Sequence, residues 1–459
     1  MKITSILKTG ICLSMALCVH LPSATKDAPQ EIRIQLSSTS SLSPLYASRF
    51  TSEDNSFPIN YLHDLSAVFD HDINNNGKTK VLQHTADKET LLSNKDTKVA
   101  FNLQNWKSQG IPYVIKISVT GKMLIASVCN VVTGSLKVFP EIPLTGNLSQ
   151  DRRQIHKLSD GIHKALFGTE GIANSRILFS YQNRDSSDPA KSISEIWECD
   201  WDGGNARPVT KENTYCISPV LISKGGHFTK DMFLYASYKT GQSKIFISTL
   251  DEGKGKKAVD IRGNQLLPAI SKQRDKIAFI CDASGRADLF IQPIRPDNGQ
   301  MGTPIQLFSF PRSTQASPTF SPDGSKIAFA SDKDGSTRIY TISSERSEKR
   351  GDPQLLTKKN RENSCPSWSP DGTKLAYSAK TDGIRQIWIY DFRTGEESQL
   401  TAGGGNKENP CWAANSQHLV FNSTDENSSD LYLVNLEQPE AIRITQGPGK
   451  KHYPTWGPR

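Results

Sequence analysis

Long hydrophobic runs are what this sequence most lacks. Beyond residue 24, no segment approaches the roughly 18 apolar residues that a membrane-spanning helix needs. The apolar stretch over residues 11–21 is too short to cross a bilayer, but it follows Lys2 and Lys8 and precedes small residues. That order is typical of a secretory signal peptide. We therefore predict that residues 1–24 are a cleaved signal peptide and that the mature protein is exported and soluble.

Two alternatives for this leader stay open. Cys18 lies inside the apolar run, where a lipoprotein could carry its acylated cysteine, although Leu17 is larger than the residue usual before such a cysteine. The run could instead form a buried N-terminal helix.

Cysteine pairs of the CxxC type are absent, so the sequence gives no support for a zinc site. An oxidising compartment would permit disulfides, but the cysteines beyond the leader mostly occupy strand-like positions. We therefore predict buried free thiols. The six residues are Cys129, Cys199, Cys216, Cys281, Cys365 and Cys411.

Concentrated positive charge is absent as well. The formal net charge is +8, but the lysines and arginines are dispersed along the chain. Because nucleic-acid binding usually needs a basic cluster, we expect no nucleic-acid partner. The Gly-x-Ser-x-Gly elbow of hydrolases is also missing, which argues against an enzyme.

What the sequence does have is a repeat of about 44 to 50 residues, the length of a four-stranded propeller blade. Two copies contain a perfect Ser-Pro-Asp-Gly turn, at residues 321–324 and 369–372. The proline that opens each copy recurs six times, at Pro219, Pro268, Pro318, Pro366, Pro410 and Pro454. The repeat therefore predicts a six-bladed β-propeller.

Two further columns also have six members each. Short apolar strands begin at Ile177, Phe233, Ile277, Ile327, Leu375 and Leu419. Aliphatic-aromatic pairs begin at Ile196, Ile245, Leu289, Ile339, Ile387 and Leu431. Their fixed place in the blade favours core packing over carbohydrate stacking, so we predict that Trp368 and Trp388 lie in the core.

The array begins and ends out of phase. It starts at Ile177, a second-strand position, and ends with Pro454, a first-strand position. We therefore expect the C-terminal segment to supply the inner strand of the first blade and close the ring.

A different pattern precedes the propeller. Residues 31–36 alternate like a strand, and Leu62, Leu65, Phe69 and Ile73 form a helical stripe. A hairpin is expected around residue 121, a third strand over 135–142 and a helix over 152–167 that ends at Gly168. We predict a small α/β domain over residues 25–170, followed by the all-β propeller over residues 171–459.

Metal-ligating patterns are incomplete. Residues 70–74 have the alternating oxygen ligands of a calcium loop but lack its glycine, and the similar spacing at residues 332–335 falls in an expected blade turn. His156 and His163 are too far apart along a helix to chelate one metal, so we expect surface or capping roles for them. We predict no metal site, no cofactor and no catalytic residue.

Taken with the leader and the α/β domain, the junction over residues 156–177 resembles that of the TolB family. Residues 109–115 also resemble the family's N-terminal domain. The blades depart from the pattern at residues 271–275 and 413–416. The resemblance implies a non-enzymatic, monomeric periplasmic protein of the Tol-Pal envelope system. Its implied partners are the peptidoglycan-associated lipoprotein, Pal, and the inner-membrane protein TolA.

Two segments are candidate binding sites. Polar loops on one propeller face carry basic residues that would attract an acidic partner, for which the resemblance implies the lipoprotein. They are Arg312, Arg361, Lys407, Lys450 and Lys451. The segment after the leader could add a strand to a partner's sheet, and its position implies TolA binding. Its residues are Glu31, Ile32, Arg33 and Ile34.

Each segment has a simpler interpretation. The loops could be ordinary solvated surface, and residues 31–36 could be the first strand of the domain. The alternative function is a propeller that binds or hydrolyses a glycan or a peptide.

Overall fold

The computed structural model describes residues 42–52, 54–93, 101–184, 192–295, 301–345, 352–426 and 428–459. The predicted signal peptide and the candidate segment Glu31, Ile32, Arg33 and Ile34 lie outside these residues. Within the described stretches, no helix has both the length and the apolar character that crossing a membrane requires.

An α/β domain forms the N-terminal part of the described chain, as predicted. Its helices are α1 (Ile59–Asn74), α2 (Ala86–Ser93), α3 (Leu103–Ser108) and α4 (Leu148–Phe167). Its strands are β1 (Ser43–Ala47), β2 (Thr79–Val81), β3 (Tyr113–Thr120), β4 (Met123–Asn130), β5 (Ser135–Val138) and β6 (Ile142–Pro143). The sheet order is β2-β1-β3-β4-β5, with β6 also paired to β4.

Sequence periodicity explains these elements well. The stripe predicted on α1 is buried against the sheet and against α4. The chain turns between β3 and β4 at Gly121, which takes a φ of 59°. Gly168 caps α4 in the left-handed conformation, as predicted. Two details differ: α4 begins four residues earlier, at a cap supplied by Asn147, and the predicted third strand is divided into β5 and β6.

Six four-stranded blades follow, which confirms the predicted propeller. Blade 1 contains β7 (Ser175–Arg184), β8 (Ser192–Asp200) and β9 (Arg207–Pro208). Blade 2 contains β10 (Cys216–Ile222), β11 (Met232–Ser237), β12 (Lys244–Thr249) and β13 (Lys256–Lys257). Blade 3 contains β14 (Gln265–Ile270), β15 (Lys276–Cys281), β16 (Asp288–Pro293) and β17 (Ile305–Phe308).

The second half of the ring repeats this arrangement. Blade 4 contains β18 (Gln315–Phe320), β19 (Lys326–Ser331), β20 (Arg338–Ser343) and β21 (Gln354–Leu355). Blade 5 contains β22 (Asn363–Trp368), β23 (Lys374–Thr381), β24 (Ile384–Asp391) and β25 (Glu397–Gln399). Blade 6 contains β26 (Asn406–Trp412), β27 (His418–Thr424), β28 (Ser429–Asn435) and β29 (Gln438–Arg443).

The last strand, β30 (Lys450–Pro458), closes the ring as predicted. It pairs antiparallel with β7 and so becomes the inner strand of blade 1. Trp456 lies opposite Ile177 in this pairing, and its indole donates a hydrogen bond to Ser175 Oγ at 2.7 Å. The first blade thus consists of one C-terminal strand and three strands from the start of the array, and pairing removes the two open edges.

The repeated apolar columns fill the spaces between blades. Phe279, Phe329, Tyr377 and Phe421 are fully buried at equivalent second-strand positions. Trp388 is buried as predicted, whereas Trp368 is only half-buried and stacks on Phe392 with ring centroids 4.7 Å apart. The six cysteines are free thiols as predicted. Four of them are buried, and Cys365 and Cys411 are partly exposed.

Asp72 joins the N-terminal domain to the propeller. Its buried carboxylate accepts a hydrogen bond from His156 Nδ1 at 2.9 Å and another from Trp201 Nε1 at 2.8 Å. Asp72 lies on α1, His156 on α4 and Trp201 directly after β8, so three elements meet at one side chain. Residues 70–74 are therefore the end of a helix and not a calcium loop. His156 is buried, which corrects the predicted surface or capping role, and His163 is buried as well.

The His156 imidazole is held in its charged form by this environment. Burial alone would lower the pKa of His156, but nearby carboxylates, Asp72 foremost, raise it to about 10. Asp200 and Asp202 lie 3.7 and 3.9 Å from His156 Nε2. A protonated histidine is thus one of the groups that hold the two domains together.

We predict that His156→Asn destabilises the protein by about 3–5 kcal/mol at neutral pH, because it leaves buried carboxylates without their cation. A histidine whose pKa rises from about 6.5 to about 10 on folding stabilises the protein fully below the lower value, and this contribution is lost as pH rises through the higher one. Urea unfolding of both proteins from about pH 6 to 10 should therefore show that the difference in free energy of unfolding between wild type and variant becomes smaller as pH rises.

The matched control is His63→Asn, because His63 is exposed on α1 and pairs only loosely with Asp64 at 4.0 Å. This control should unfold like the wild type. A gap for His156→Asn that stays constant with pH would contradict the assignment of a charged imidazole.

Candidate partner-binding face

The turns and loops of the propeller open onto two faces. Connections from the first to the second strand and from the third to the fourth strand of each blade share one face. The N-terminal domain packs there, through the Asp72–Trp201 contact and through His418 Nε2, which donates to the carbonyl oxygen of Asn75 at 2.8 Å.

The opposite face, here called the loop face, consists of the other connections. Its outer-to-inner loops are residues 209–215, 258–264, 309–314, 356–362, 400–405 and 444–449. They contact the second-to-third turns of neighbouring strands: Asp332 in such a turn accepts hydrogen bonds from the backbone N–H of Thr314 at 2.7 Å and from its hydroxyl. Asp332 therefore links two loops, in agreement with the predicted blade turn.

Three of the five predicted basic residues carry unpaired charges on the loop face. Arg312 and Arg361 are exposed in the loops 309–314 and 356–362, and Lys450 is partly exposed at the start of β30. Within the described part of the chain, these three side chains make no hydrogen bond or ion pair. An unpaired surface cation remains free to attract an acidic partner. The binding role of these residues stays a prediction.

Lys407 and Lys451 are different, which corrects the expectation of five exposed loop charges. Both lie in inner strands and are buried, with 6% and 3% of their surface exposed. Lys407 Nζ donates to the carbonyl oxygens of residues 403, 404 and 405 at 2.8–3.2 Å. Lys451 Nζ donates in the same way to residues 446–449 and lies 3.0 Å from Asp430. Their ammonium groups are therefore committed to stabilising the loops.

A position in the repeat explains these buried lysines. Each stands three residues before the proline that opens a blade, and the side chain at this place is buried in every blade. The six residues are Cys216, Gln265, Gln315, Asn363, Lys407 and Lys451. Gln265 and Asn363 also use their amide groups to hold the loop that precedes them. Aligning the six blades on their prolines would have identified Lys407 and Lys451 as members of this buried position, and Arg312 and Arg361 as loop residues outside it.

The residue directly before each of these prolines has an unusual backbone. All six take φ values between 47° and 54°, in the left-handed region that non-glycine residues rarely adopt. They are Ser218, Leu267, Ser317, Cys365, Asn409 and Tyr453. The pairing register shifts at this point in every inner strand, as in a β-bulge. This feature was not predicted from the sequence.

The six inner strands contact one another in a closed ring, so these bulges surround the central axis. Neighbouring bulges approach closely: Ser317 Oγ and Cys365 Sγ are 3.9 Å apart. Burial raises the pKa of Tyr453 to about 12, and the Cys365 thiol and the Glu408 carboxylate add to this effect. Burial also raises the pKa of Glu408, against the effect of Arg385 at 3.4 Å. Five of the six bulge residues around the axis are thus polar or sulfur-containing, and Leu267 is the exception among them.

One group of side chains has the spacing of a metal site. Ligand atoms of His156, Asp200 and Asp202 lie within 4.8 Å of one another. However, the guanidinium groups of Arg152 and Arg459 pair with Asp202 and Asp200. The carboxylates therefore already have cationic partners, and the group fits a structural ion cluster better than a metal centre.

Comparison with known proteins agrees with this architecture. The family model described as the TolB beta propeller domain matches residues 163–459. A protein named "Protein TolB homolog" from Protochlamydia amoebophila is 48% identical over 402 residues, covering 87% of this chain and 85% of the relative. A protein of the same name from Chlamydia trachomatis serovar L2 is 36% identical, with 88% and 84% coverage.

Among solved structures, the chain is similar in fold to TolB from Acinetobacter baumannii. The TM-score is 0.70 at 19% identity, covering 91% of this chain and 97% of that one. The likeness includes both the α/β domain and the propeller.

We predict that Lys407→Met destabilises the protein by about 2–3 kcal/mol, because three loop carbonyl groups lose the buried ammonium that donates to them. Lys407→Gln should cost less, since glutamine fills the same place in blades 3 and 4. Arg361→Met, which removes an exposed cation from the neighbouring loop, is the control and should unfold like the wild type. Equal urea midpoints for Lys407→Met and Arg361→Met would contradict the loop-holding role of Lys407.

Proposed function

The chain belongs to the TolB family, and from this premise we propose that it is a periplasmic protein-binding scaffold of the Tol-Pal system. In this role it binds the peptidoglycan-associated lipoprotein, Pal, on the loop face and connects it to the inner-membrane Tol complex through TolA. Such a link would support the integrity of the outer membrane and the constriction of the envelope during cell division.

The observation that best supports lipoprotein binding is the set of unpaired cations on the loop face. Arg312, Arg361 and Lys450 are available, whereas the charges of Lys407 and Lys451 are used internally. Positive potential on one face accelerates encounter with an acidic partner and selects against basic ones. The N-terminal domain packs on the other face, so the proposed contact leaves the domain junction undisturbed.

The geometry favours binding over catalysis. Three carboxyl groups in the described residues have a raised pKa, and they lie on separate elements: Asp70 on α1, Asp160 on α4 and Glu408 on β26. Asp160 accepts backbone hydrogen bonds from Ala173 and Asn174, which indicates a structural role. These groups do not form the closely spaced acid and base that a hydrolase acting by paired carboxyls would use.

We propose that the segment after the leader serves the second partner. Residues 31–36 alternate in polarity like a strand, and an extended segment can add to the exposed edge of a partner's sheet. Glu31, Ile32, Arg33 and Ile34 are the proposed contacts with TolA. Binding through a terminal segment would leave the loop face available for the lipoprotein.

The double substitution Arg312→Glu and Arg361→Glu should weaken lipoprotein binding about tenfold at low salt, because it replaces attraction by repulsion. Surface plasmon resonance against the immobilised lipoprotein measures the effect, and the difference should shrink as salt is added. The melting temperature should change little, since both side chains are exposed and unpaired.

The matched control is Lys254→Glu with Lys272→Glu, two exposed lysines in turns on the opposite face. It changes the net charge by the same amount. Equal loss of binding in both double variants would mean that total charge, and not the loop face, governs the interaction.

Proline at Ile32 tests the terminal segment, because proline removes a backbone N–H that strand addition requires. We expect Ile32→Pro to abolish capture of TolA in a pull-down while lipoprotein binding is retained. Ala28→Pro, which lies outside the strand-like segment, should leave both interactions intact. Normal TolA capture by Ile32→Pro would exclude strand addition at this site.

A further inference from the structure

A cavity of about 510 Å³ lies between α4 and the first two blades, on the face that carries the N-terminal domain. Its walls come from α4, from the beginnings of β7 and β9, and from the turns that precede β11 and follow β12. These elements belong to first-to-second and third-to-fourth connections, so the cavity is separate from the loop face. Its volume is in the range of natural small-molecule sites.

Positive side chains dominate this cavity. Six cations line it: Arg153, Lys157, Arg176, Arg207, Lys230 and Arg459. The acidic side chains are Glu198, Asp231 and Asp251. Arg459 pairs with Asp200 of the buried cluster, which leaves five cations facing three carboxylates.

The excess charge is carried by residues that have no partner of their own. Arg153 and Lys157 are exposed one turn apart on α4, and Lys230 is exposed across the cavity before β11. Within the described stretches of the chain, none of these side chains makes an ion pair or a hydrogen bond. Two walls from different domains therefore present free cations to the same space.

The remaining cations compete for the available carboxylates. Arg207 Nη2 lies 2.7 Å from Glu198 Oε1, and Arg176 Nη1 lies 3.5 Å from Glu198 Oε2. Arg176 also lies 3.2 Å from Asp231, and Asp251 lies 3.6 Å from Arg207. All three acids are thus in contact with the two arginines, and they leave the cations on α4 and before β11 uncompensated.

Arg176 shows the electrostatic cost of this arrangement. Burial lowers its pKa, and the charges of Arg459 and Arg153 lower it further, against the effect of Glu198 and Asp231. Its Nε is buried and has no hydrogen-bond acceptor among the described residues. A bound anion would reduce the repulsion between these cations.

The buried cluster beside the cavity has balanced charge, unlike the cavity itself. There the carboxylates of Asp72, Asp200 and Asp202 are matched by the cations of His156, Arg152 and Arg459. The cluster has as many negative as positive groups, so the junction between the N-terminal domain and the propeller does not carry excess positive charge everywhere. The surplus belongs to the open cavity, where a ligand can enter.

We propose that this cavity binds a small polyanion, a ligand with phosphate or carboxylate groups carrying at least two negative charges. Guanidinium groups hold such oxyanions with paired hydrogen bonds, and lysines add charge from flexible side chains. Because α4 and the blades contribute opposite walls, the ligand also bridges the two domains and stabilises their association.

Isothermal titration of the full mature chain with inorganic pyrophosphate, and separately with citrate, tests this site. We expect saturable one-to-one binding of at least one probe at low salt and a rise in melting temperature with its concentration. Tighter binding of pyrophosphate assigns a phosphorylated ligand, and tighter binding of citrate assigns a polycarboxylate; either result supports the polyanion site.

The double substitution Arg153→Glu and Lys157→Glu should weaken binding at least about tenfold without loss of the fold, because neither side chain makes a contact that folding needs. Lys230→Glu tests the opposite wall and should have the same direction of effect. The matched control is Lys107→Glu with Lys122→Glu, two exposed lysines of the N-terminal domain outside the cavity.

Absence of saturable binding of both probes to the wild type would overturn the proposal, as would equal weakening by the cavity variant and the control. Capture of the lipoprotein by the loop face should be unaffected by Arg153→Glu with Lys157→Glu. The two binding functions can therefore fail independently.

Discussion

Pairing of β30 with β7 is the constraint on which the rest of the structure depends. Each blade packs against two neighbours, so the array is stable only if the first blade meets the last. The strand that completes blade 1 comes from the opposite end of the array, and its Trp456 packs beside Trp201, the residue that meets the N-terminal domain. The strand that closes the ring therefore also packs against the residue on which the N-terminal domain docks.

Charge is distributed around this region in two distinct ways. In the cluster at Asp72, every charged group has a partner, and the site fixes the domains relative to each other. In the neighbouring cavity, cations on α4 and before β11 remain uncompensated. A charge-balanced ionic network gives rigidity, whereas an accessible excess of one charge gives affinity for ions of the opposite charge. The same junction thus combines both uses of electrostatics.

The sequence predicted the fold far better than the site. Blade number, ring closure and the stripe of α1 follow from periodicity, because apolar residues recur wherever the packing recurs. Lys407 could not be distinguished from Arg361 by charge alone, since the difference lies in where each side chain points. His156 was misjudged because its partners, Asp72 and Asp200, are distant in the sequence. The left-handed residues before the prolines were missed because no local rule predicts them.

The uniform bulges divide each blade into a fixed part and a variable part. In blades 3 to 6, the opening proline stands nine residues before the second-strand triplet, and in blades 2 to 6 that triplet stands twelve residues before the aliphatic-aromatic pair. The distance from this pair to the next proline is longer in blades 3 and 4. The extra residues lie in their third-to-fourth connections, whereas every outer-to-inner loop has six or seven residues. Insertions at these positions enlarge the face that carries the N-terminal domain, and they leave both the loop face and the backbone around the axis unchanged.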